Sequence, residues 1–214
     1  DRSPSRGLGD VYKRQDAHTT NKREFVENLY NHWATSYDKE ITENNYATPN
    51  RVALILKNLI SDKKTKILDY GCGTGLSGEA LFKAGFKNVD GADPSEKMLQ
   101  EARKKKIYAS IVKLNLDTPT PIESGDYSII TAVGVMGPGA APLELFDDIM
   151  SLLGPGGLFI FSFNDAALRV PKYLTKLNRY LRTNSAKLLF KEYGPHLPGI
   201  HLKAMVYVIK KNDF

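Results

Sequence analysis

Cysteine is almost missing from these 214 residues, with Cys72 the sole example. That excludes an intramolecular disulfide or a cysteine-built zinc cluster, and it suits a reducing compartment, so the cytoplasm is expected. Long apolar runs are also missing. None approaches the roughly 18 residues that a membrane helix needs, and no signal-peptide core is expected either. Charge of one sign is scarce: the formal net charge is +6, with +2 of it in the first fifteen residues. The remaining +4, without a single-strand stacking motif, argues against a nucleic-acid partner. What is left is a chain with 42% apolar residues, long enough for one domain, and it is expected to be monomeric.

Residues 1–15 are rich in Gly, Ser, Pro and Arg and show no periodicity. They are expected to be a disordered tail or an adapter-derived, non-native scar. From Asn21, a capping-box spacing to Glu24 and the recurrence of Phe25, Leu29 and Trp33 predict an amphipathic helix. Tyr37, Asp38 and Tyr46 fall in a polar connection. Thr48 as N-cap and Pro49 open a second helix to about Ile60, so residues 16–65 form a helical cap.

Residues 66–214 then alternate. Strands are expected at Lys66–Tyr70, Asn88–Ala92, Ala109–Leu114, Tyr127–Val133 and Leu158–Phe163, with helices at Leu76–Ala84, from Pro94, and at Leu143–Leu153. After a helix from Pro171, two strands, Ala186–Tyr193 and Leu202–Ile209, are joined by Gly194-Pro195 and Pro198-Gly199 turns. This pattern predicts an α/β fold, a parallel sheet finished by an antiparallel hairpin.

The chemistry concentrates in residues 66–75, Lys-Ile-Leu-Asp-Tyr-Gly-Cys-Gly-Thr-Gly, where a buried strand gives way to a glycine turn and a helix start. Gly71, Gly73 and Gly75 let the backbone turn tightly and meet a ligand closely. Two cofactors compete for such a turn. Gly73 to Gly78 matches the dinucleotide pattern G-x-G-x-x-G, and Asp93 follows Gly73 by twenty residues. However, the match begins two residues late, and Asp69 would repel a pyrophosphate. S-adenosylmethionine has no phosphate and carries a sulfonium and an ammonium, to which Asp69 is attractive directly or through water.

The residues 67–75, together with Gly91-Ala-Asp-Pro-Ser95, Met98 and Gly154-Pro-Gly-Gly157, resemble the class I S-adenosylmethionine-dependent methyltransferases. With Trp33, Tyr37-Asp38 and Val133-Gly-Val135, the chain is similar to the methyltransferase-like group named for the Williams-Beuren syndrome region. The resemblance implies a Rossmann-like seven-stranded sheet of order 3-2-1-4-5-7-6, with strand 7 antiparallel. It implies that Gly71, Cys72, Gly73 and Gly75 meet the methionine and ribose portions, that Asp93 binds the ribose hydroxyls, and that Pro94 and Met98 pack on the adenine. Asn115 stands where an acid usually accepts from the adenine amino group, with the Leu116 N–H beside it and Asp117 as a substitute. Tyr37 would close over the cofactor, and Val133 would line the site.

In-line methyl transfer can draw several kcal/mol, roughly 7 to 11, from proximity alone, so the missing catalytic triad is no obstacle. No Asn/Asp-Pro-Pro-Tyr/Phe follows strand 4, which excludes the amino-group methylases of adenine and glutamine. Cys72 lacks a basic partner and is read as a loop residue, not a nucleophile. His196 and His201 are expected as solvated turn residues, and Asn164 as a substrate contact past strand 5. The Lys172, Lys176, Arg179 stripe is read as a solvated helix face. A small-molecule methyltransferase is the leading reading, with a non-catalytic S-adenosylmethionine sensor second. An NAD-dependent oxidoreductase is rejected, because the lone Tyr-x-x-x-Lys match, Tyr207 with Lys211, falls on a strand.

Overall fold

The structure, a computed structural model, describes residues 36–118 and 120–213. The helix expected across Asn21 to Trp33 lies outside them. Residues 36–43 are helical, not the polar connection anticipated. Tyr37 and Ile41, one turn apart, pack with Leu76, Leu197 and Leu202, and that burial is the tertiary contact that sequence periodicity could not show.

Helix α1 (Thr48–Leu59) has Pro49 in its first turn and buries Val52, Ala53, Ile55 and Leu56. Its N-cap is Ala47 and no side chain caps it, so the expected Thr48 cap is absent. The Thr48 hydroxyl is engaged elsewhere, against His196.

The seven strands are β1 (Ile67–Tyr70), β2 (Val89–Asp93), β3 (Ser110–Lys113), β4 (Ile129–Ala132), β5 (Leu158–Asn164), β6 (Ala186–Leu197) and β7 (Leu202–Lys211). They form one sheet of order β3-β2-β1-β4-β5-β7-β6. β1 to β5 pair in parallel, and β7 is antiparallel to both β5 and β6, the order implied by the sequence resemblance. Connecting helices are α2 (Leu76–Lys83), α3 (Glu96–Lys105), α4 (Leu145–Leu152), α5 (Asp165–Leu168) and α6 (Pro171–Arg182).

Period-two alternation divides the apolar side chains between the two faces of the sheet. Leu68, Ile130, Phe159, Phe161 and Phe163 join Phe146 and Ile149 of α4 and Tyr173 and Leu177 of α6. Ile67, Val89, Ile129, Ile160 and Val208 pack against Val52 and Leu56 of α1 and Leu81 of α2. Each such large side chain contributes about 1.5–3 kcal/mol through burial, which makes the central strands a firm base for the loops at their ends.

Gly194-Pro195 is not a turn. β6 runs through it to Leu197, and the reversal is a 3-10 turn, Pro198–Ile200. An edge strand tolerates proline because its outer side offers no ladder bond to lose. The glycine serves another need, since a Cβ at Gly194 would sit 2.9 Å from the Arg51 guanidinium. From α1, Arg51 donates to the Pro195 and Ala204 carbonyls, both at 3.0 Å, and pairs with Glu192 at 2.9 Å, clamping β6 and β7.

Candidate functional site

β1 and β2 lie side by side, and their C-terminal ends open into the glycine turn. The N–H groups of Gly71 and Cys72 both donate to the Ala92 carbonyl, at 2.7 and 3.1 Å, which ties the turn to the end of β2. Gly71, Gly73 and Gly75 all have left-handed φ, +72°, +53° and +92°, a conformation that glycine adopts without Cβ strain. They face different surroundings. A Cβ at Gly71 would meet Val135 at 2.5 Å and one at Gly75 would meet Tyr108 at 3.2 Å, whereas one at Gly73 would meet nothing within 4 Å. Gly73 is therefore the bare face that a ligand can approach.

Two acids flank this face. Asp93 accepts from the Gly73 N–H at 2.9 Å through one oxygen and from the Ser95 N–H at 2.8 Å through the other. It fixes the turn to the start of α3, where the Ser95 side chain caps Met98 N. Asp69 is fully buried beneath the turn and takes Ser77 Oγ and Tyr108 Oη at 2.6 Å each and Thr131 Oγ1 at 2.9 Å. Burial raises its pKa, and the three hydroxyl donors work against that rise. No ligand can touch Asp69 directly. Its influence on the site is its field and its hold on the turn.

The Cys72 thiol pKa is raised well above the ordinary value, first by burial and then by Asp93 and Asp69. Such a thiol is a poor nucleophile. Acids beside the turn suit a cation and oppose a pyrophosphate. The bare turn and its acids therefore fit the sulfonium cofactor.

The family described as "Methyltransferase domain" matches residues 40–197. The chain belongs to this methyltransferase family. Among its relatives, human Methyltransferase-like protein 27 is 27% identical over 167 residues, 77% of this chain and 60% of the relative. The trans-aconitate 2-methyltransferase of Rhizobium leguminosarum is 31% identical over 52% of this chain and 43% of its own length. This methyltransferase-family chain thus spans well under two thirds of both. Among solved structures, the magnesium protoporphyrin IX methyltransferase of Synechocystis, with bound SAM, has TM-score 0.61 at 18% identity, covering 95% of this chain and 90% of that one. The [4+2]-cyclase SpnF has TM-score 0.58 at 15% identity, covering 77% and 81%. These two likenesses show the shared fold.

In this member of the family, the other anticipated cofactor residues are scattered in environment. Met98 is 1% exposed and lies in the core, while Pro94 stays half-buried at the rim. Val133 is buried among apolar side chains at the end of β4. Asn115 is exposed past β3, its carbonyl accepting the Asp117 N–H at 2.9 Å, with Leu116 exposed beside it. Tyr37 packs in the small cluster around Ile41 and Leu197 that Leu76, the residue after Gly75, also joins. Its neighbour Asp38 accepts from the Thr74 hydroxyl and pairs with Lys105 at 2.6 Å, linking the N-terminal helical segment to the turn.

A second set of polar residues gathers at the ends of β4, β5 and β6. Ser162 accepts from the Gly134 N–H at 2.9 Å, and a Cβ at Gly134 would lie 2.5 Å from the Tyr46 hydroxyl. The Tyr46 ring meets His196 edge-on, centroids 5.2 Å apart. His196 is not the solvated turn residue expected: it is 3% exposed, with Nδ1 2.8 Å from Thr48 Oγ1. Burial lowers its pKa to about 4, so it is neutral near pH 7. Asn164 spends its side-chain oxygen capping α5 at Ala167 N, 3.0 Å away. Lys176, in the supposed solvated stripe, is held by Asp147.

Sequence reasoning missed Tyr108, Ser77, Thr131 and Tyr46. For Tyr108 a signal existed: Gly78 inside a helix and Gly91 inside a strand each cost stability relative to alanine, which marks a place where something large comes close. Among the described residues no group of three His, Cys, Asp or Glu side chains is arranged to hold a metal ion, and no helix is long and apolar enough to cross a membrane.

Proposed function

We propose that this chain is a class I S-adenosylmethionine-dependent methyltransferase that acts on a small-molecule acceptor by in-line transfer. The observation that carries the reading is the bare Gly73 face set between Asp69 and Asp93, an anionic cradle for a cationic cofactor. The cofactor supplies a methyl group activated by its sulfonium. The chain supplies binding and orientation: Asp93 accepts from the ribose, the glycine turn admits the methionine portion, and Tyr37 with Asp38 covers it from the N-terminal side.

The acceptor would enter from the ends of β4 and β5, beside Gly134, Tyr46 and His196. The Tyr46 hydroxyl and the neutral His196 there suit a hydrogen-bonding acceptor. Within the family we place the chain with the group named for the Williams-Beuren region, on the identity to Methyltransferase-like protein 27. We also place it in the cytoplasm, on the single buried thiol.

A second reading, cofactor binding without methyl transfer, is favoured by one observation: His196, at this mouth, is buried and already paired with Thr48. Calorimetric titration with S-adenosylmethionine, S-adenosylhomocysteine and NAD tests the cofactor, with binding of the first two and not NAD expected. Formation of S-adenosylhomocysteine on a panel of small molecules and RNA tests transfer. Tight binding with no turnover on any acceptor favours the second reading, and binding of NAD alone sinks both.

A further inference from the structure

Tyr108 precedes β3 and enters no part of the cofactor contact set, yet its ring occupies the space that three glycines leave clear. A Cβ at Gly78 would lie 2.3 Å from the Tyr108 Cζ and Oη, and one at Gly75 or Gly91 would lie 3.2 Å from the ring. Real Cβ atoms do not approach at 2.3 Å, so a methyl at Gly78 could fit only if the ring gave up its place and its bond to Asp69. Gly75 belongs to the turn, Gly78 to the first turn of α2, and Gly91 to β2. The hydroxyl ends on Asp69 at 2.6 Å, sharing the oxygen that Ser77 also reaches. One side chain thus touches the turn, the helix after it, the neighbouring strand and the buried acid below.

We propose that Tyr108 is the positioning residue of the cofactor turn: its ring is the plug behind Gly75 and Gly78, and its hydroxyl holds Asp69 in place. The proposal rests on the reading of the turn as a sulfonium-cofactor site. It also explains the dinucleotide-like spacing of Gly73, Gly75 and Gly78. The last glycine is required by an internal tyrosine, with no pyrophosphate needed. The ligand side of the turn, Gly73, stays bare because the turn is supported from the opposite side.

The groups facing Asp69 are Ser77 and the Gly78 N–H of α2, Thr131 of β4 and Tyr108 itself, with the titratable Cys72 and Asp93 close by in the turn and at the end of β2. Removing the Tyr108 hydroxyl takes away one of the donors that hold the Asp69 pKa down. Asp69 then protonates at a higher pH than in the wild type, and affinity for a cationic ligand falls with it.

The test is calorimetric binding of S-adenosylmethionine and S-adenosylhomocysteine, from pH 5 to 8, to full-chain wild type, Tyr108→Phe, Gly78→Ala, Tyr108→Ala and the Gly78→Ala/Tyr108→Ala pair. Tyr108→Phe should weaken S-adenosylmethionine about tenfold at neutral pH, and its loss of affinity on acidification should begin at higher pH than in the wild type. Gly78→Ala should weaken binding strongly in the wild-type background and little once Tyr108 is alanine, because the two groups contend for one space. Tyr108→Phe with a lowered melting temperature but wild-type affinity and pH profile would mean a merely structural tyrosine and overturns the proposal, as would additive losses in the double variant. Failure of wild type itself to bind either ligand strikes instead at the cofactor reading.

Discussion

Under the glycine turn, two carboxylates are surrounded by donors: Ser77, Tyr108 and Thr131 on Asp69, and the Gly73 and Ser95 N–H groups on Asp93. At the ends of β4, β5 and β6 three uncharged groups pair off singly, His196 with Thr48, Ser162 with Gly134 N, Asn164 with Ala167 N, and the charges nearby, Asp165 and Arg51, are spent on bonds within β6 and β7. The contrast separates two tasks. A cationic cofactor of fixed structure rewards a charged, pre-assembled cradle, since buried donors aimed at a carboxylate need no rearrangement when the ligand arrives. The ends of β4 to β6, where we propose that the acceptor enters, carry the Tyr46 and His196 rings and offer a place for selection by fit.

Substitutions on either side should therefore fail in different measurements. The largest effect is expected for Asp93→Ala, which frees the Gly73 and Ser95 N–H groups and removes the acid proposed to accept from the ribose. Affinity for S-adenosylhomocysteine should drop at least about a thousandfold, with circular dichroism unchanged; retained affinity would detach Asp93 from the site. Next comes acid sensitivity from the other side. The His196 pKa is about 4 in the folded protein against an ordinary value of 6.5. Because burial favours its neutral form, its stabilising effect is complete above pH 6.5 and lost as pH falls towards 4, on the order of 3 kcal/mol in all. Urea unfolding across that range should show the loss, and His196→Gln should flatten it while leaving cofactor affinity alone.

How much of this was legible follows the same division. The turn was readable because its demands are local: left-handed φ at Gly71, Gly73 and Gly75 admits few other residues, and an apolar strand must lead into it. The sheet order came with the family resemblance and the short final connection. Gly78 and Gly91 signalled that something large comes close, but not that it was Tyr108, because its partners lie in α2, β1 and β2, and long-range packing leaves no period in the sequence. His196 was misjudged for a related reason. Its neighbours Gly194 and Pro195 look like a turn, while the contacts that bury it, Tyr46 and Thr48, come from the far end of the chain.

Gly71→Ala should come third. Its φ of +72° strains any side chain, and the added methyl would sit 2.5 Å from Val135, which follows β4. A cost of about 1–3 kcal/mol in unfolding free energy is expected, together with weaker cofactor binding. Val135→Ala in the same chain should return the steric part and leave the backbone strain. If Gly71→Ala alters stability alone, the turn tolerates displacement and the cofactor side does not depend on its packing against Val135.

The smallest effect is expected where the Arg51 clamp meets solvent. Arg51 donates to the Pro195 and Ala204 carbonyls as well as to Glu192, but Glu192 is half exposed and water competes for the pair. Glu192→Gln should therefore cost under about 0.5 kcal/mol, less still at high salt. Arg51→Lys gives up the planar fork that reaches two strands at once and should cost about 1–2 kcal/mol. Both are read in unfolding experiments, with cofactor affinity as the control. A Glu192 effect as large as that of Arg51 would place the clamp's strength in the ion pair. The geometry puts it in the two carbonyls, which hold β6 and β7, and with them His196, against α1.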